Sequence, residues 1–111
     1  MRGQVILNVL NIASARRSEN ARLLGRIFGN NDLRDAVAYA VDRQFGHNDV
    51  GDVQSFFQWI LDHQEEIIAF IKMLMELFNP PALMTASGDM PRTYEELIAL
   101  IDERIRYQEG N

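Results

Sequence analysis

The stretch that decides the fold is residues 67–78, which read IIAFIKMLMELF. Ten of these twelve residues are apolar, and the two exceptions, Lys72 and Glu76, have the spacing of an i,i+4 ion pair. A helix that packs one face against its own domain needs only a single apolar stripe. The stretch therefore predicts a helix that is apolar on at least two faces, both of which must be removed from water.

Helical spacing extends this region towards the N-terminus, so that the third helical region runs from Asp52 to residue 78. Asp52 is a residue type that caps helix N-termini, and the prolines in residues 79–81 (NPP) end the pattern. Asp62 and Glu65 have the spacing of a capping box, so the region is either one helix or two helices that meet near His63. One stripe in steps of three and four predicts the intramolecular core of this region: Val53, Phe56 or Phe57, Ile60, Gln64, Ile67, Ile71, Leu74 and Phe78.

A second stripe with the same spacing lies on another face of this third helical region. Its large apolar members are Trp59, Phe70, Met73 and Leu77. If helices of the same chain cover this stripe, the region is simply the centre of a bundle. If they leave it exposed, it marks an interaction site, because large apolar patches on small proteins are usually binding surfaces. We expect these four residues to anchor a protein interface, since buried anchors at interface centres carry most of the binding energy.

The rest of the chain also has helical patterning. Residues 4–28 predict one long helix or two, and a further helix, capped by Asn31 or Asp32, runs to about Phe45. A last helix begins at a capping box formed by Thr93 and Glu96 and ends near residue 109. The predicted fold is all-α, a small bundle of four to five helices with the third helical region (helix 3) at its centre.

Length and composition predict one folded domain spanning residues 1–111. The chain is 47% hydrophobic and 24% charged, which is ordinary for globular proteins, and dividing it would leave pieces too small for a core. It has no cysteine, so disulfides, thiolate metal sites and cysteine nucleophiles are excluded.

A cytoplasmic location is expected, because a chain without cysteine fits a reducing compartment. The apolar run 5–15 after Arg2 has some likeness to a secretory signal, but Asn8 and Asn11 interrupt it. No stretch approaches the roughly 20 apolar residues that span a bilayer.

No catalytic, cofactor or metal site is predicted. His47 and His63 are the only histidines, and neither belongs to a Glu-x-x-His or His-Glu-x-x-His pattern. His63 and Glu66 share a helical face, yet two ligands do not make a metal site. Phosphate-binding glycine loops and nucleophile elbows are also missing from the sequence, so an enzyme is not expected.

Charge is distributed unevenly along the chain. Residues 1–28 carry five basic and one acidic residue (+4), and residues 29–111 carry six basic and fifteen acidic residues (−9), which together give the net charge of −5. Such polarity favours head-to-tail or antiparallel contacts within the domain or between copies. The alternative is a small nucleic-acid-binding regulator that uses an N-terminal arginine cluster: Arg16, Arg17, Arg22 and Arg26.

Nucleic-acid binding is the weaker of these two interpretations. Residues 18–45 imitate a helix-turn-helix, but the second helix carries Asp32, Asp35 and Asp42, which would oppose phosphate attraction. The sequence thus favours a non-enzymatic protein-protein interaction or assembly module, either a homo-oligomeric subunit or a small adaptor.

Overall fold

Six α-helices account for almost all of the chain that the computed structural model describes, namely residues 2–14, 18–46, 50–78 and 94–109. These ranges contain no β-strand, and the all-α prediction is confirmed. None of the helices in these ranges is long and apolar enough to cross a lipid bilayer. The helices are α1 (Arg2–Ala13), α2 (Ser18–Phe28), α3 (Asn31–Phe45), α4 (Val53–Asp62), α5 (Gln64–Phe78) and α6 (Tyr94–Glu109).

Both regions that the sequence left undecided are broken into two helices, so the described residues form six helices instead of the predicted four to five. The third helical region becomes α4 and α5, which are separated by His63. There the backbone N–H of His63 donates to the carbonyl oxygens of Trp59 and Ile60, at 3.1 and 3.2 Å. The mixed bonding tightens the last turn of α4 and ends the helix.

Side-chain caps define two helix starts. The Asn30 side chain accepts a hydrogen bond from the Leu33 N–H at 3.1 Å, so the cap of α3 is Asn30 instead of Asn31 or Asp32, the two caps that the sequence predicts. The Asp52 carboxylate accepts from the Ser55 N–H at 2.9 Å and caps α4 as the sequence predicts. The predicted cap Thr93 lies outside the described residues.

Buried side chains from all six helices form one hydrophobic cluster. Helix α3 contacts α1, α2, α5 and α6, and its middle turns, residues 36–38 and 40–41, are completely buried. The central position predicted for the third helical region is not confirmed. Three of the buried residues of α3 are alanines, whose small side chains allow other helices to approach α3 from several sides. A search of the sequence for large apolar residues does not identify such a helix.

Helices α1 and α3 approach each other closely at Gly3. Gly3 of α1 is buried, and its backbone N–H donates to the Asp42 Oδ1 atom at 3.1 Å. A Cβ at position 3 would overlap the Ala38 carbonyl oxygen and would lie 2.9 Å from the Cβ of Asp42. Glycine is therefore required at this crossing.

A polar cluster joins α3 to α6. The Tyr39 hydroxyl donates to the Asp102 Oδ1 atom at 2.7 Å, and the Arg43 Nη1 atom lies 2.7 Å from the same oxygen. The hydrogen bond to Asp102 raises the pKa of Tyr39 above 10, with a smaller contribution from burial. Arg43 also donates to the Tyr39 oxygen at 3.2 Å, which fixes all three side chains in one arrangement.

Candidate functional site

The predicted interface residues Trp59, Phe70, Met73 and Leu77 are all half-buried against the core. Phe45, the last residue of α3, lies between two of them. Its ring centroid is 5.5 Å from that of Phe70 in an edge-to-face arrangement, and 6.3 Å from that of Trp59. The end of α3 therefore covers part of the predicted stripe, a contact that the pattern within residues 52–78 could not reveal.

Two further aromatic rings pack against Trp59. Its ring stacks on the His63 ring at a centroid distance of 4.4 Å and on the Phe56 ring at 6.2 Å. The His63 Nδ1 atom lies 2.7 Å from the Trp59 carbonyl oxygen, so the histidine is oriented by the helix end that it terminates. Trp59 thus belongs to an internal aromatic cluster more than to the outer surface.

Three apolar residues of α4 are exposed, and they lie on the side of this helix opposite Trp59. Val53, Phe57 and Leu61 are 70%, 44% and 39% exposed, and their spacing of four residues places them in one row, called here the α4 stripe. Trp59 follows Phe57 by two residues and so points about 200° away around the helix axis. The α4 stripe is the candidate binding surface.

The structure corrects the predicted core stripe at its start. Phe56 is the buried member of the Phe56/Phe57 pair, and Val53, which the sequence placed in the core, is exposed. The remaining apolar members of that stripe, from Ile60 to Phe78, are buried as predicted. The signal that was missed is the regular row at positions 53, 57 and 61 within a segment, residues 53–61, that contains no charged side chain.

The N-terminal arginine cluster is described only in part, because Arg16 and Arg17 lie outside the described residues. Arg22 and Arg26 are exposed on α2, one helical turn apart. The nearby Glu19 carboxylate pairs with the Lys72 ammonium of α5 at 3.1 Å. Lys72 was expected to pair with Glu76 within α5, and the contact between helices takes its place.

Two clefts lie at the ends of helix α5. One, about 340 Å³, lies between α2 and α5 and is lined by mixed polar and apolar residues on either side of the Glu19–Lys72 pair. The other, about 360 Å³, lies between α5 and α6 beside Leu77, Leu100 and Tyr107. Both are open to solvent. In the described ranges no three histidine or carboxylate side chains are close enough to hold a metal ion.

Comparison with protein-family models, with curated proteins and with solved structures finds no match to the chain. The function is therefore inferred from the residues of the chain itself.

Proposed function

We propose that this chain is a non-enzymatic protein-protein interaction or assembly module that binds through the α4 stripe. The observation that carries the proposal is the exposure of Val53, Phe57 and Leu61 in one row on an otherwise folded helix. Exposure of apolar side chains to water is unfavourable, and their burial against a partner lowers the free energy of the complex.

The composition around the stripe supports the same interpretation. Its polar neighbours Gln54, Ser55 and Gln58 are neutral, and the charged residues Asp52 and Asp62 lie only at the two ends of the helix. Interface centres are depleted in charge and enriched in aromatic residues. Phe57, the middle residue of the row, is the expected anchor.

The half-buried residues Trp59, Phe70, Met73 and Leu77 form a second, weaker candidate surface. Phe45 already covers part of Trp59 and of Phe70, so a partner would gain less apolar burial from these residues than from the α4 stripe. We also propose a cytoplasmic location, which the cysteine-free sequence supports.

A photo-crosslinking experiment tests the proposal. A benzoylphenylalanine at position 57, in the cells that produce the chain, should form adducts with protein that are identified by mass spectrometry. The same group at position 76, where Glu76 is exposed on α5, is the control and should give none of those adducts. The adducts should also decrease when Leu61→Gln is combined with the position-57 label. Absence of any protein adduct at position 57 would overturn the proposed function.

Nucleic-acid binding is a second candidate, supported by one observation. Arg22 and Arg26 are exposed in the described part of α2, and the acidic neighbour Glu19 is held by Lys72 instead of neutralising them. Phosphate contacts weaken steeply with salt. Retention of the chain on heparin that falls with salt, and that is lost in Arg22→Glu with Arg26→Glu, would support this candidate.

A further inference from the structure

The cleft between α5 and α6, called here the α5–α6 cleft, combines apolar walls with one arginine. Leu77 and Leu100 are half-buried in its lining, and Tyr107, which is 67% exposed, also lines it. The polar side chains of the lining are Glu103 and Arg104. The volume of about 360 Å³ lies within the range of small-molecule sites, roughly 300–1,000 Å³. The cleft is therefore large enough for a small ligand with an apolar part.

The lining residues of α6 share one face of that helix. At 100° per residue, Tyr107 lies about 20° from Leu100 around the helix axis, so these two apolar side chains are adjacent. Arg104 lies about 40° from Leu100 on one side, and Glu103 lies about 60° from it on the other. The arginine and the glutamate therefore border the apolar strip from opposite edges, about 100° apart.

The Nε atom of Arg104 is a buried donor without an acceptor. It is excluded from solvent and has no hydrogen-bond partner in the part of the chain that the structure describes. Arg43, by contrast, pairs with Asp102 of the same helix α6 at 2.7 Å. A desolvated donor on a charged group costs free energy until an acceptor reaches it. Arg104 as a whole is only half-buried and lines the cleft, so a rotation of its flexible side chain can present the guanidinium to a ligand there.

We propose that the α5–α6 cleft binds an apolar monocarboxylate, such as a medium-chain fatty acid. The ligand carboxylate accepts hydrogen bonds from the Arg104 guanidinium, whose planar fork matches the geometry of a carboxylate. The alkyl chain of the ligand lies against Leu77, Leu100 and the ring of Tyr107, which removes apolar surface on both sides from water. The cleft uses no residue of the α4 stripe, so this inference goes beyond the proposed function and does not depend on it.

The charges of the lining favour a ligand with a single negative charge. Glu103 repels any anion, and it repels a phosphate dianion about twice as strongly as a carboxylate at the same distance. Polyanions such as nucleic acids are bound by several cations, and among the described residues that line this cleft Arg104 is the one cation. A neutral apolar ligand would leave the Nε donor unpaired.

The backbone around the cleft favours a free acid over the carboxyl end of a peptide. Proteins capture peptide termini with clusters of unbonded backbone N–H groups. The lining residues of α6, from Leu100 to Tyr107, lie well inside the helix Tyr94–Glu109, where each N–H is bonded to a carbonyl oxygen four residues earlier. Only side chains are therefore available to bind the ligand on this wall.

Titration of the ¹⁵N-labelled full chain with sodium octanoate, followed by NMR, is the test. The backbone signals of Leu77 and of residues 100–107 should shift saturably. The dissociation constant should be on the order of 1 mM, as expected for a ligand of roughly ten heavy atoms in an open cleft. Octanoate should bind more tightly than hexanoate, by up to about fourfold per added methylene, because the longer chain buries more apolar area.

Three variants locate the ligand, and circular dichroism should show the same helicity in each. Arg104→Gln removes the guanidinium from the cleft and should weaken octanoate binding about tenfold, the usual contribution of a hydrogen bond to a charged group. Arg106→Gln removes the same charge from an exposed position about 200° away around α6 and should change the dissociation constant less than about twofold. Glu103→Gln removes the repulsion and should tighten binding about twofold or more.

Four results would overturn the inference. The first is the absence of saturable shifts at about 20 times the expected dissociation constant. The second is an equal dissociation constant for Arg104→Gln and Arg106→Gln. The third is a set of shifts centred on the α4 stripe, which would show that the alkyl chain adsorbs to other exposed apolar residues. The fourth is tighter binding of a short peptide ending in leucine than of octanoate, which would exclude a free acid as the preferred ligand.

Discussion

Gly3 of α1 and Ala38 of α3 are in backbone contact, with the Ala38 carbonyl oxygen occupying the place where a Cβ of residue 3 would lie. Gly3→Ala should therefore force the two helices apart. We expect a loss of about 1–3 kcal/mol in the free energy of unfolding, as is usual for overpacking in a core. Urea denaturation followed by circular dichroism measures it.

Gly25→Ala is the matched control for this substitution. Gly25 is exposed in the middle of α2, and nothing lies within 4 Å of a Cβ added there. Alanine should raise the free energy of unfolding by about 0.5–1 kcal/mol, because it loses less backbone entropy in a helix than glycine does. Equal effects of the two substitutions would contradict the close contact between α1 and α3.

The hydrogen bond between Tyr39 and Asp102 should make the free energy of unfolding decrease at alkaline pH. The hydrogen bond raises the pKa of Tyr39 above 10, so its contribution is complete below pH 10 and is lost as pH rises through the folded-state value. Tyr39→Phe should cost about 0.5–1.5 kcal/mol at pH 8. The difference between wild type and Tyr39→Phe in urea denaturation should shrink above pH 10, and a constant difference would argue against the bond.

The cap of α4 should produce the opposite pH dependence. Hydrogen bonds from Ser55, first from its backbone N–H, lower the pKa of Asp52 below 3.8. The stabilisation is present above that pH and is lost as pH falls through the lower folded-state value. Asp52→Asn keeps a capping side chain that does not titrate. Its thermal midpoint should fall less between pH 5 and pH 2.5 than that of the wild type, while Asp52→Ala should be less stable at both.

Phe45 should control the environment of the single tryptophan. Because its ring covers one side of Trp59, Phe45→Ala should shift the fluorescence emission of Trp59 to longer wavelength and lower the free energy of unfolding by about 1–3 kcal/mol. Phe57→Ala, on the opposite side of α4, should leave the emission maximum in place. A shift of similar size in both variants would show that Trp59 faces the α4 stripe instead of α3.

Much of the fold follows from the sequence because it depends on local signals. Helical periodicity identified every helical region, and Asp52 capped the expected helix. The centre of the bundle was missed because it depends on Ala36, Ala38 and Ala40, whose small size is informative only when the neighbouring helices are known. The partner of Lys72 was missed for a related reason, since Glu19 is distant in the sequence.

The candidate surface was predicted less well than the fold. Apolar residues at helical spacing lie on several faces of residues 53–78, and spacing alone does not tell which face the other helices cover. Phe45 packs on Trp59 and Phe70, so the end of α3 covers that face. The α4 stripe, on the opposite side of α4, is left exposed.

The interruption at His63 leaves α4 as a short helix of ten residues that buries only Phe56 and Ile60. Amide protons in so lightly anchored a segment exchange with deuterium through local opening, without unfolding of the whole domain. Partner binding at the α4 stripe would then slow deuterium uptake in residues 53–62 much more than in α3, whose amides open only with the core. Deuterium uptake in α4 would thus show whether a partner is bound at the α4 stripe.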